Sequence, residues 1–254
     1  MNVYSSLEAQ LHDAFWEDEE SPEADWLASL LKSHPGKALE IGCGSGRLLL
    51  PLLKLGHQVE GIDNSPEMLE LCRTRAEESG LTPMLHEGDM GTFSTTEPYA
   101  SILVPAFTLQ LADDPTATLS NFRSLLVPGG LLYLTVFIPL AEIHRELPEG
   151  EWYPDHETVL PDGRHASVQT RHTMDRKNRV LHREHHYRLV DEDREIEHFS
   201  KQSVRWFTPR DLQKLLIATH FEPETAVADF DEKVPVDEHS QIITLIARAV
   251  VPSD

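Results

Sequence analysis

The chain has 254 residues, of which 40% are hydrophobic and 26% charged, and its formal net charge is −21. This length suits one large domain or a core with an inserted subdomain, and the negative charge disfavours nucleic acid as a partner. No apolar run approaches the ~20 residues of a membrane span, and residues 1–20 lack the basic and hydrophobic segments of a secretory signal. We therefore expect a soluble, cytoplasmic protein without a membrane partner.

Strand and helix signals alternate through the first half of the chain. A proline directly after serine or aspartate is typical of a helix start, and this pair occurs at residues 21–22, 65–66 and 114–115. A further helix is predicted over residues 47–55. Buried strands are predicted at residues 38–41, 59–62, 83–87, 102–104 and 131–137. This alternation is typical of an α/β fold with a parallel sheet covered on both faces.

The pattern changes after residue 137. Prolines, glycines and charges dominate residues 138–163, which predicts a loop or lid. Half-polar extended segments follow at residues 165–174, 180–190 and 196–207, and a capped helix and a last strand are predicted at 208–217 and 241–250. The predicted domains are a cofactor-binding core with N-terminal helices (1–137), a lid and antiparallel β insertion (138–207), and a C-terminal part that completes the core sheet (208–254).

A glycine-rich turn joins the first predicted strand to a helix, with the pattern E-x-G-x-G-x-G from Glu40 to Gly46. Glycines let a ligand approach the backbone closely, and a helix start offers N–H groups to an anion. A dinucleotide fingerprint would require glycine where Arg47 stands, which disfavours an NAD-dependent oxidoreductase. Asp63 ends the second strand, where a carboxylate can accept hydrogen bonds from both ribose hydroxyls. Asp89 and Met90 follow the third strand and offer an acceptor and an apolar surface to an adenine ring.

The segments ALEIGCGSGR, GIDNSPEML, HEGDM and LVPGGLLYLTVF resemble the successive motifs of class I S-adenosylmethionine-dependent methyltransferases of the small-molecule type. The resemblance implies a Rossmann-like, mostly parallel sheet of seven strands with an antiparallel β insertion after the fifth. It also implies S-adenosylmethionine as cofactor, with its methionine part on Glu40 and the glycine turn, its ribose on Asp63 and its adenine beside Asp89 and Met90. The residues that it assigns to the cofactor are Glu40, Gly42, Cys43, Gly44, Gly46, Asp63, Asn64, Met68, Asp89, Met90 and Val104.

The methyl acceptor must be inferred from the segments around the strand ends. The D/N-P-P-Y tetrapeptide of enzymes that methylate base amines is absent after the fourth strand, and neither cysteine lies where a pyrimidine-C5 nucleophile is expected. The insertion is similar in position to that of aminosugar and glycine-type N-methyltransferases, which implies a small-molecule acceptor. The predicted acceptor-binding residues are Phe107, Gln110, His144, Trp152 and Tyr153. Alternatively, Phe107 belongs to the core, Gln110 is a solvated helix start and the other three anchor a loop.

The segment of residues 163–190 is rich in arginine and histidine. It holds seven Lys/Arg against two carboxylates, a local charge of +5, and five histidines. A hairpin turn centred on Lys177 would place His172 opposite His182, an arrangement that could bind a divalent metal, but no ligand spacing is fixed and we predict no metal site. The positive charge could instead attract an anionic acceptor, or the arginines could pair with the acidic core.

The sequence thus predicts a methyltransferase that uses S-adenosylmethionine to methylate a small molecule at nitrogen or oxygen by in-line transfer. The alternative is a catalytically inactive S-adenosylmethionine-binding regulatory protein. No residue stands out as the general base, and the sequence leaves the oligomeric state open.

Overall fold

The computed structural model describes residues 4–16, 22–191, 194–237 and 239–250, which fold into two compact units. The core unit comprises Ser21–Ile138 and Phe207–Asp254, and the insertion unit comprises Met1–Glu20 and Pro139–Trp206, as far as these ranges are described. No helix in the described ranges is long and apolar enough to cross a membrane. The boundaries predicted from the sequence placed residues 1–137 together, whereas the structure groups the N-terminal helix with the insertion.

The strands of the described residues alternate with helices in the first half of the chain and follow one another directly in the insertion. The strands are β1 (Ala38–Ile41), β2 (Val59–Asp63), β3 (Leu85–Glu87), β4 (Tyr99–Val104), β5 (Leu126–Phe137), β6 (Tyr153–Val159), β7 (His165–Asp175), β8 (Val180–Asp191), β9 (Arg194–Arg205), β10 (Phe221–Ala228), β11 (Asp231–Pro235) and β12 (Ile242–Ala249). The helices are α1 (Ser6–Trp16), α2 (Pro22–Ser33), α3 (Leu49–Lys54), α4 (Pro66–Glu78), α5 (Pro115–Leu125), α6 (Leu140–Ile143) and α7 (Pro209–Ala218), with a 3₁₀ turn at Thr108–Leu111.

The core unit is an α/β fold built on one sheet, which has eight strands among the described residues, in the order β11-β10-β12-β5-β4-β1-β2-β3. Strands β1 to β5 run parallel, while β12 pairs antiparallel with β5 and β10 pairs antiparallel with β12. The mostly parallel sheet predicted from the sequence is confirmed. The predicted count of seven strands is wrong, because β10 continues through a tight turn into the short antiparallel β11.

Alternate residues of the central strands face opposite sides of the sheet, as the period of a strand requires. Leu132 and Leu134 of β5 belong to one buried apolar cluster, and Leu131 and Tyr133 belong to another. Both clusters are built from core-unit residues. The sheet is therefore covered on both faces, as its continuous apolar strands predict.

The predicted helix starts at Ser65, Asp114 and Thr208 are confirmed by side-chain caps. Oγ of Ser65 accepts a hydrogen bond from the N–H of Met68 at 3.1 Å, and the Asp114 and Thr208 side chains cap α5 and α7 in the same manner. The predicted cap Ser21 lies outside the described residues. Helix α3 is shorter than predicted, and β5 begins at Leu126, earlier than residue 131.

The insertion unit contains a second sheet, antiparallel and four-stranded in the described residues, in the order β6-β7-β8-β9. Helix α1 packs on it through Leu7 and Leu11, which contact Val168, Tyr187 and Leu189 among other buried residues. Strand β6 lies within the segment that was predicted to be a loop or lid. The prediction missed it because β6 is an edge strand that contains a proline and carries mostly exposed side chains.

The register of β7 and β8 differs by one residue from the predicted hairpin. Asp175 pairs with Val180, so His172 lies opposite Arg183 and His182 lies opposite Thr173. The expected pairing of His172 with His182 is therefore wrong. In the described part of the chain, no group of three or more His, Cys, Asp or Glu side chains is placed to hold a metal ion.

Candidate functional site

The glycine turn that follows β1 is held against the end of β2 by backbone hydrogen bonds. The N–H groups of Gly42 and Cys43 donate to the carbonyl oxygen of Ile62 at 2.8 and 3.1 Å. Gly42, Gly44 and Gly46 have φ angles of +69°, +53° and +89°, a region in which a Cβ is strained. Backbone conformation alone therefore favours glycine at each of the three positions.

The glycines of this turn differ in the space around them. A Cβ added at Gly46 would lie 2.7 Å from Sγ of Cys72 and 2.8 Å from Cγ of Leu50. A Cβ added at Gly44 would meet, within 4 Å among the described residues, only the flexible end of Met68 at 3.1 Å. Packing against neighbouring side chains thus explains why residue 46 is glycine, whereas the packing around Gly44 is looser.

Asp63, the last residue of β2, ties the glycine turn to the start of α4. Its Oδ2 accepts a hydrogen bond from the N–H of Gly44 at 2.9 Å, and its Oδ1 accepts one from the N–H of Ser65 at 2.9 Å. Because a carboxylate oxygen can accept more than one hydrogen bond, these contacts are compatible with additional donors. The predicted ribose acceptor therefore has a fixed orientation beside the turn.

Glu40 lies at the centre of a buried charged cluster beneath the turn. It is 2% exposed, and its Oε2 makes no hydrogen bond to any described residue. Burial raises the pKa of Glu40 to about 8; the guanidinium of Arg47 acts in the opposite direction, and the carboxylates of Glu23 and Asp63 raise it further. A buried carboxylate with an unsatisfied oxygen is costly, so this atom is the clearest candidate for a ligand contact in the core unit.

Two members of this cluster were missed by the sequence reasoning. Glu23 of α2 forms an ion pair with Arg47, with Oε2 and Nη2 3.3 Å apart, and accepts a hydrogen bond from the hydroxyl of Tyr133 at 3.0 Å. Burial raises the pKa of Glu23 as well. Glu23 and Tyr133 lie on α2 and β5, far apart in the chain, so no local pattern could have brought them together.

The loop after β3 presents Asp89 and Met90 at the same edge of the sheet. Oδ1 of Asp89 accepts a hydrogen bond from the N–H of Gly91 at 2.7 Å. The side-chain amide of Asn121 on α5 donates to the carbonyl oxygens of Met90 and Phe93 at 3.0 and 3.1 Å. Asn121 was not predicted, and it fixes the loop that carries the predicted adenine contacts.

The other residues predicted to contact the cofactor lie around these strand ends. Cys43 is buried in the turn, and burial raises the pKa of its thiol. Met68 is buried on α4, and Val104 is the buried last residue of β4. Asn64 follows β2 directly and is partly exposed. Cys43 and Met68 pack against the glycine turn and its neighbours, which gives both a structural role.

Part of this arrangement is similar to known proteins. Residues 38–130, from β1 into β5, match the family model described as "Methyltransferase domain". The fold is similar to that of an S-adenosylmethionine-dependent methyltransferase from Clostridium acetobutylicum ATCC 824, with a TM-score of 0.81 and 14% identity over 96% of this chain and 98% of that chain. Residues 38–130 thus match a methyltransferase domain, and the fold is that of a known S-adenosylmethionine-dependent methyltransferase.

The fold is also similar to that of an amino pentose methyltransferase from Micromonospora echinaspora, with a TM-score of 0.70 and 21% identity over 98% of this chain and 99% of that chain. Among curated relatives, a ubiquinone biosynthesis O-methyltransferase of Xanthomonas euvesicatoria pv. vesicatoria (strain 85-10) is 30% identical over 112 residues, which are 44% of this chain and 47% of the relative. A protein of the same name from Cereibacter sphaeroides (strain ATCC 17025 / ATH 2.4.3) is 33% identical over 96 residues, 38% of this chain and 39% of the relative. The matches span less than half the length of these two relatives.

The two acceptor residues predicted in the core unit differ in their surroundings. Ala106 and Phe107, just after β4, both have positive φ, a strained conformation for residues with a Cβ. The Phe107 ring is partly exposed and lies 5.1 Å from that of Phe137. Gln110 is 1% exposed, and its amide donates to the carbonyl oxygen of Phe137 at 3.0 Å and accepts from its N–H at 2.7 Å. Gln110 therefore holds the end of β5, rather than forming the solvated helix start of the alternative prediction.

The three acceptor residues predicted in the insertion unit have different environments. His144 is exposed at the end of α6. Trp152 lies under the guanidinium of Arg171, 4.8 Å from its ring centre. Tyr153 is half-buried, lines an internal cavity and has its hydroxyl 3.1 Å from Nδ1 of His172. Of the three, Tyr153 is the residue that faces an enclosed space.

The arginines of the basic segment form ion pairs inside the insertion unit. The pairs are Arg164–Asp162, Arg171–Glu184, Arg176–Glu149, Arg183–Glu142 and Arg188–Glu195. The Arg183–Glu142 pair has a 2.5 Å contact, with side-chain exposures of 26% and 4%. Pairing with carboxylates was expected, but the partners belong to the insertion unit itself. The local positive charge is therefore largely neutralised where it arises.

Proposed function

We propose that this chain is a methyltransferase that transfers the methyl group of S-adenosylmethionine to a nitrogen or oxygen atom of a small molecule. The observation that carries the proposal is the buried, unsatisfied Oε2 of Glu40 beside a glycine turn that is bonded to Asp63. In open α/β sheets, ligands bind at the carboxyl ends of the parallel strands, and Glu40, Asp63 and Asp89 all lie at or just beyond the ends of β1 to β3.

The residues present fit the chemical groups of the cofactor. Glu40 suits the ammonium of the methionine part, because a bound cation would favour the charged form of this buried acid. Asp63 suits the ribose hydroxyls, which are donors, and the looser packing at Gly44 allows a ligand close to the backbone. Asp89 suits the adenine amine, and Met90 offers an apolar surface to the ring.

The bound cofactor supplies an activated methyl group on a sulfonium, so the chain itself has to orient the acceptor and exclude water. In this proposal the core unit binds the cofactor and the insertion unit determines which acceptor is used. The relatives named as ubiquinone biosynthesis O-methyltransferases and the neighbour named as an amino pentose methyltransferase support a small acceptor. The proposal assigns no general base, and it retains cytoplasmic location and the absence of a nucleic-acid partner as predictions.

The test is a screen for turnover. The full chain is incubated with S-adenosylmethionine and a panel of metabolite amines, phenols and hydroxy acids, and S-adenosylhomocysteine formation is measured by mass spectrometry. We expect formation with at least one class of acceptor, and loss of formation with Asp63→Ala.

Binding of S-adenosylhomocysteine is measured in parallel by calorimetry. Binding without turnover for every acceptor class would favour the regulatory alternative. No binding by a folded wild-type chain would reject both functions.

A further inference from the structure

The insertion unit encloses a cavity of about 240 Å³ between α1 and one face of its sheet. The lining residues come from α1, α6, β6, β8, β9 and adjoining loops, all within this unit. They are Tyr4, Glu8, His12, Phe15, Glu142, Leu147, Tyr153, Asp155, Arg183, His185, Tyr187 and Gln202. Four are phenylalanine or tyrosine and three are carboxylates, a combination that is unusual for an ordinary core.

The cavity lining contains more acidic side chains than arginines. Glu142 is neutralised by its ion pair with Arg183, which leaves Glu8 and Asp155 as further carboxylates in the lining. Burial lowers the pKa of His185 to about 4, with the Arg183 charge acting in the same direction, so its imidazole is neutral near pH 7. The three carboxyl groups of the lining therefore outnumber its one guanidinium group.

The carboxyl group of Glu8 is nearly buried and is held by two hydrogen bonds. It is 7% exposed, and burial raises its pKa. The Tyr187 hydroxyl at 3.3 Å and the Ser200 hydroxyl at 3.0 Å both donate to Oε1. Both of these contacts are made to Oε1, so Oε2 is the oxygen that can accept a hydrogen bond from a ligand in the cavity.

A second acceptor follows from a short hydrogen-bond chain. The Thr170 hydroxyl donates to Oδ2 of Asp155 at 2.5 Å and lies 2.9 Å from Nδ1 of His185. The hydroxyl of Thr170 has one proton, which it donates to Asp155. In its contact with His185, Nδ1 of the imidazole must therefore be the donor and the Thr170 oxygen the acceptor. The neutral imidazole then has its lone pair on Nε2, which adds a hydrogen-bond acceptor to the carboxylate oxygens of the lining.

From this geometry we propose that the cavity binds a small organic ammonium ion, with Glu8 as its charged partner and the neighbouring aromatic rings around it. Carboxylates and the faces of aromatic rings both attract organic cations, and the attraction is strongest where water is excluded. The proposal goes beyond the methyltransferase function, because it concerns binding within the insertion unit and does not require the ligand to be methylated.

Two other ligand classes fit the lining less well. An anion would need an uncompensated cation, and the Arg183 charge is already matched by Glu142. A metal ion would need three or more clustered ligands, and the described residues contain no such group. The three carboxyl groups beside one guanidinium group, together with the aromatic rings, favour a positively charged ligand with N–H groups.

The experiment uses three probes that share one ring and one hydroxyl and differ in charge: trans-4-aminocyclohexanol, trans-1,4-cyclohexanediol and trans-4-hydroxycyclohexanecarboxylate. Their affinities for the full chain are measured at neutral pH by ligand-observed NMR titration without cofactor. We expect the ammonium probe to bind at least about tenfold more tightly than the diol, since a charged hydrogen bond adds to the shared contacts. The carboxylate probe should bind most weakly.

Glu8→Gln should remove the preference for the ammonium probe while leaving diol binding within about threefold of wild type. Glu151→Gln, which removes the same charge at an exposed position outside the cavity lining, should keep the preference. Phe15→Leu provides a second variant if Glu8→Gln melts far below wild type, and it should weaken ammonium binding more than diol binding.

The proposal is overturned if wild type binds the diol or the carboxylate as tightly as the ammonium probe, or binds none of them. It is also overturned if both cavity variants keep the wild-type preference. Calorimetry with S-adenosylhomocysteine on the same wild-type sample tests the core unit separately, so loss of one function is distinguishable from loss of the other.

Discussion

The N–H of Gly44 donates a 2.9 Å hydrogen bond to Oδ2 of Asp63, so the glycine turn after β1 and the acidic end of β2 form one structural element. The other carboxylate oxygen of Asp63 accepts the N–H of Ser65, whose side chain caps α4. One side chain thus fixes the turn, orients the predicted ribose contact and supports the start of a helix. Variants at this position are expected to affect stability and binding together.

The first prediction concerns Asp63→Ala. Two backbone donors lose their acceptor, so the free energy of unfolding should fall by about 1–3 kcal/mol. Affinity for S-adenosylhomocysteine should fall by about tenfold or more, because the ribose loses a charged acceptor. Urea denaturation and calorimetry measure the two effects, with Glu70→Gln on the exposed face of α4 as the control. Wild-type affinity in the folded variant would show that Asp63 does not bind the ribose.

The second prediction separates two glycines of the same turn. Gly46→Ala should be strongly destabilising, by about 2–4 kcal/mol, because the new Cβ meets Cys72 and Leu50 in a buried site. Gly44→Ala should cost about 1–2 kcal/mol for the left-handed backbone and remain folded. It should nevertheless lose affinity for S-adenosylhomocysteine, because the added Cβ would occupy space that the proposed function gives to the ligand. Melting curves and calorimetry on both variants test this, and unchanged affinity of Gly44→Ala would count against close approach at that residue.

The third prediction uses the pKa of Glu40, which is raised from 4.5 to about 8 in the folded chain. Between these two pH values, Glu40 stays protonated in the folded chain but loses its proton in the unfolded chain. Protonated Glu40 therefore contributes fully to stability below about pH 4.5, and this contribution is lost as the pH rises through about 8. Between about pH 5 and about pH 8.5, Glu40→Gln should gain roughly 2–4 kcal/mol in unfolding free energy relative to wild type. Urea unfolding across this range measures the difference, and parallel profiles for the two proteins would contradict it.

The fourth prediction compares two ion pairs of the insertion unit. Glu142→Gln removes the partner of the largely buried Arg183 and should cost about 3–5 kcal/mol. Glu195→Gln breaks the pair with Arg188, in which both side chains are 41% exposed, and should cost no more than about 1 kcal/mol. Melting temperatures at low and high salt distinguish the pairs, since salt screens the exposed pair and hardly affects the buried one. Equal losses in the two variants would show that burial does not set the strength of these pairs.

The parallel half of the core could be predicted because its local signals agree. The strand Ala38–Ile41 is short and fully buried, and the serine and aspartate caps mark where α4 and α5 begin. The family motifs fall on the loops after these strands, so the candidate cofactor residues could be named before their geometry was known. Their roles stay predictions until binding is measured.

The insertion unit was harder to predict, because neither the pairing register of its strands nor the position of its edge strand β6 produces a strong local pattern in the sequence. Asp175 fixes the β7–β8 turn, because its carboxylate accepts a hydrogen bond from the N–H of Asn178 at 3.0 Å. In the resulting register, Asp175 of β7 pairs with Val180 of β8. A turn placed one residue earlier gives every side chain of the hairpin a different partner. The cavity acceptor Glu8 escaped notice because it lies on α1, far in sequence from Tyr187 and Ser200 that bind it.

The chain leaves the core unit after Ile138 and returns at Phe207, and both residues pack in the same apolar cluster. The two ends of the inserted segment are therefore fixed by the core, which makes the segment exchangeable between related proteins without redesign of the cofactor half. Residues 139–206 alone would not suffice for such an exchange, because Leu7 and Leu11 of α1 complete the apolar core of the insertion unit. A chimaera built to test the proposed role of the insertion unit in acceptor choice must therefore receive the N-terminal helix and the insertion from the same parent.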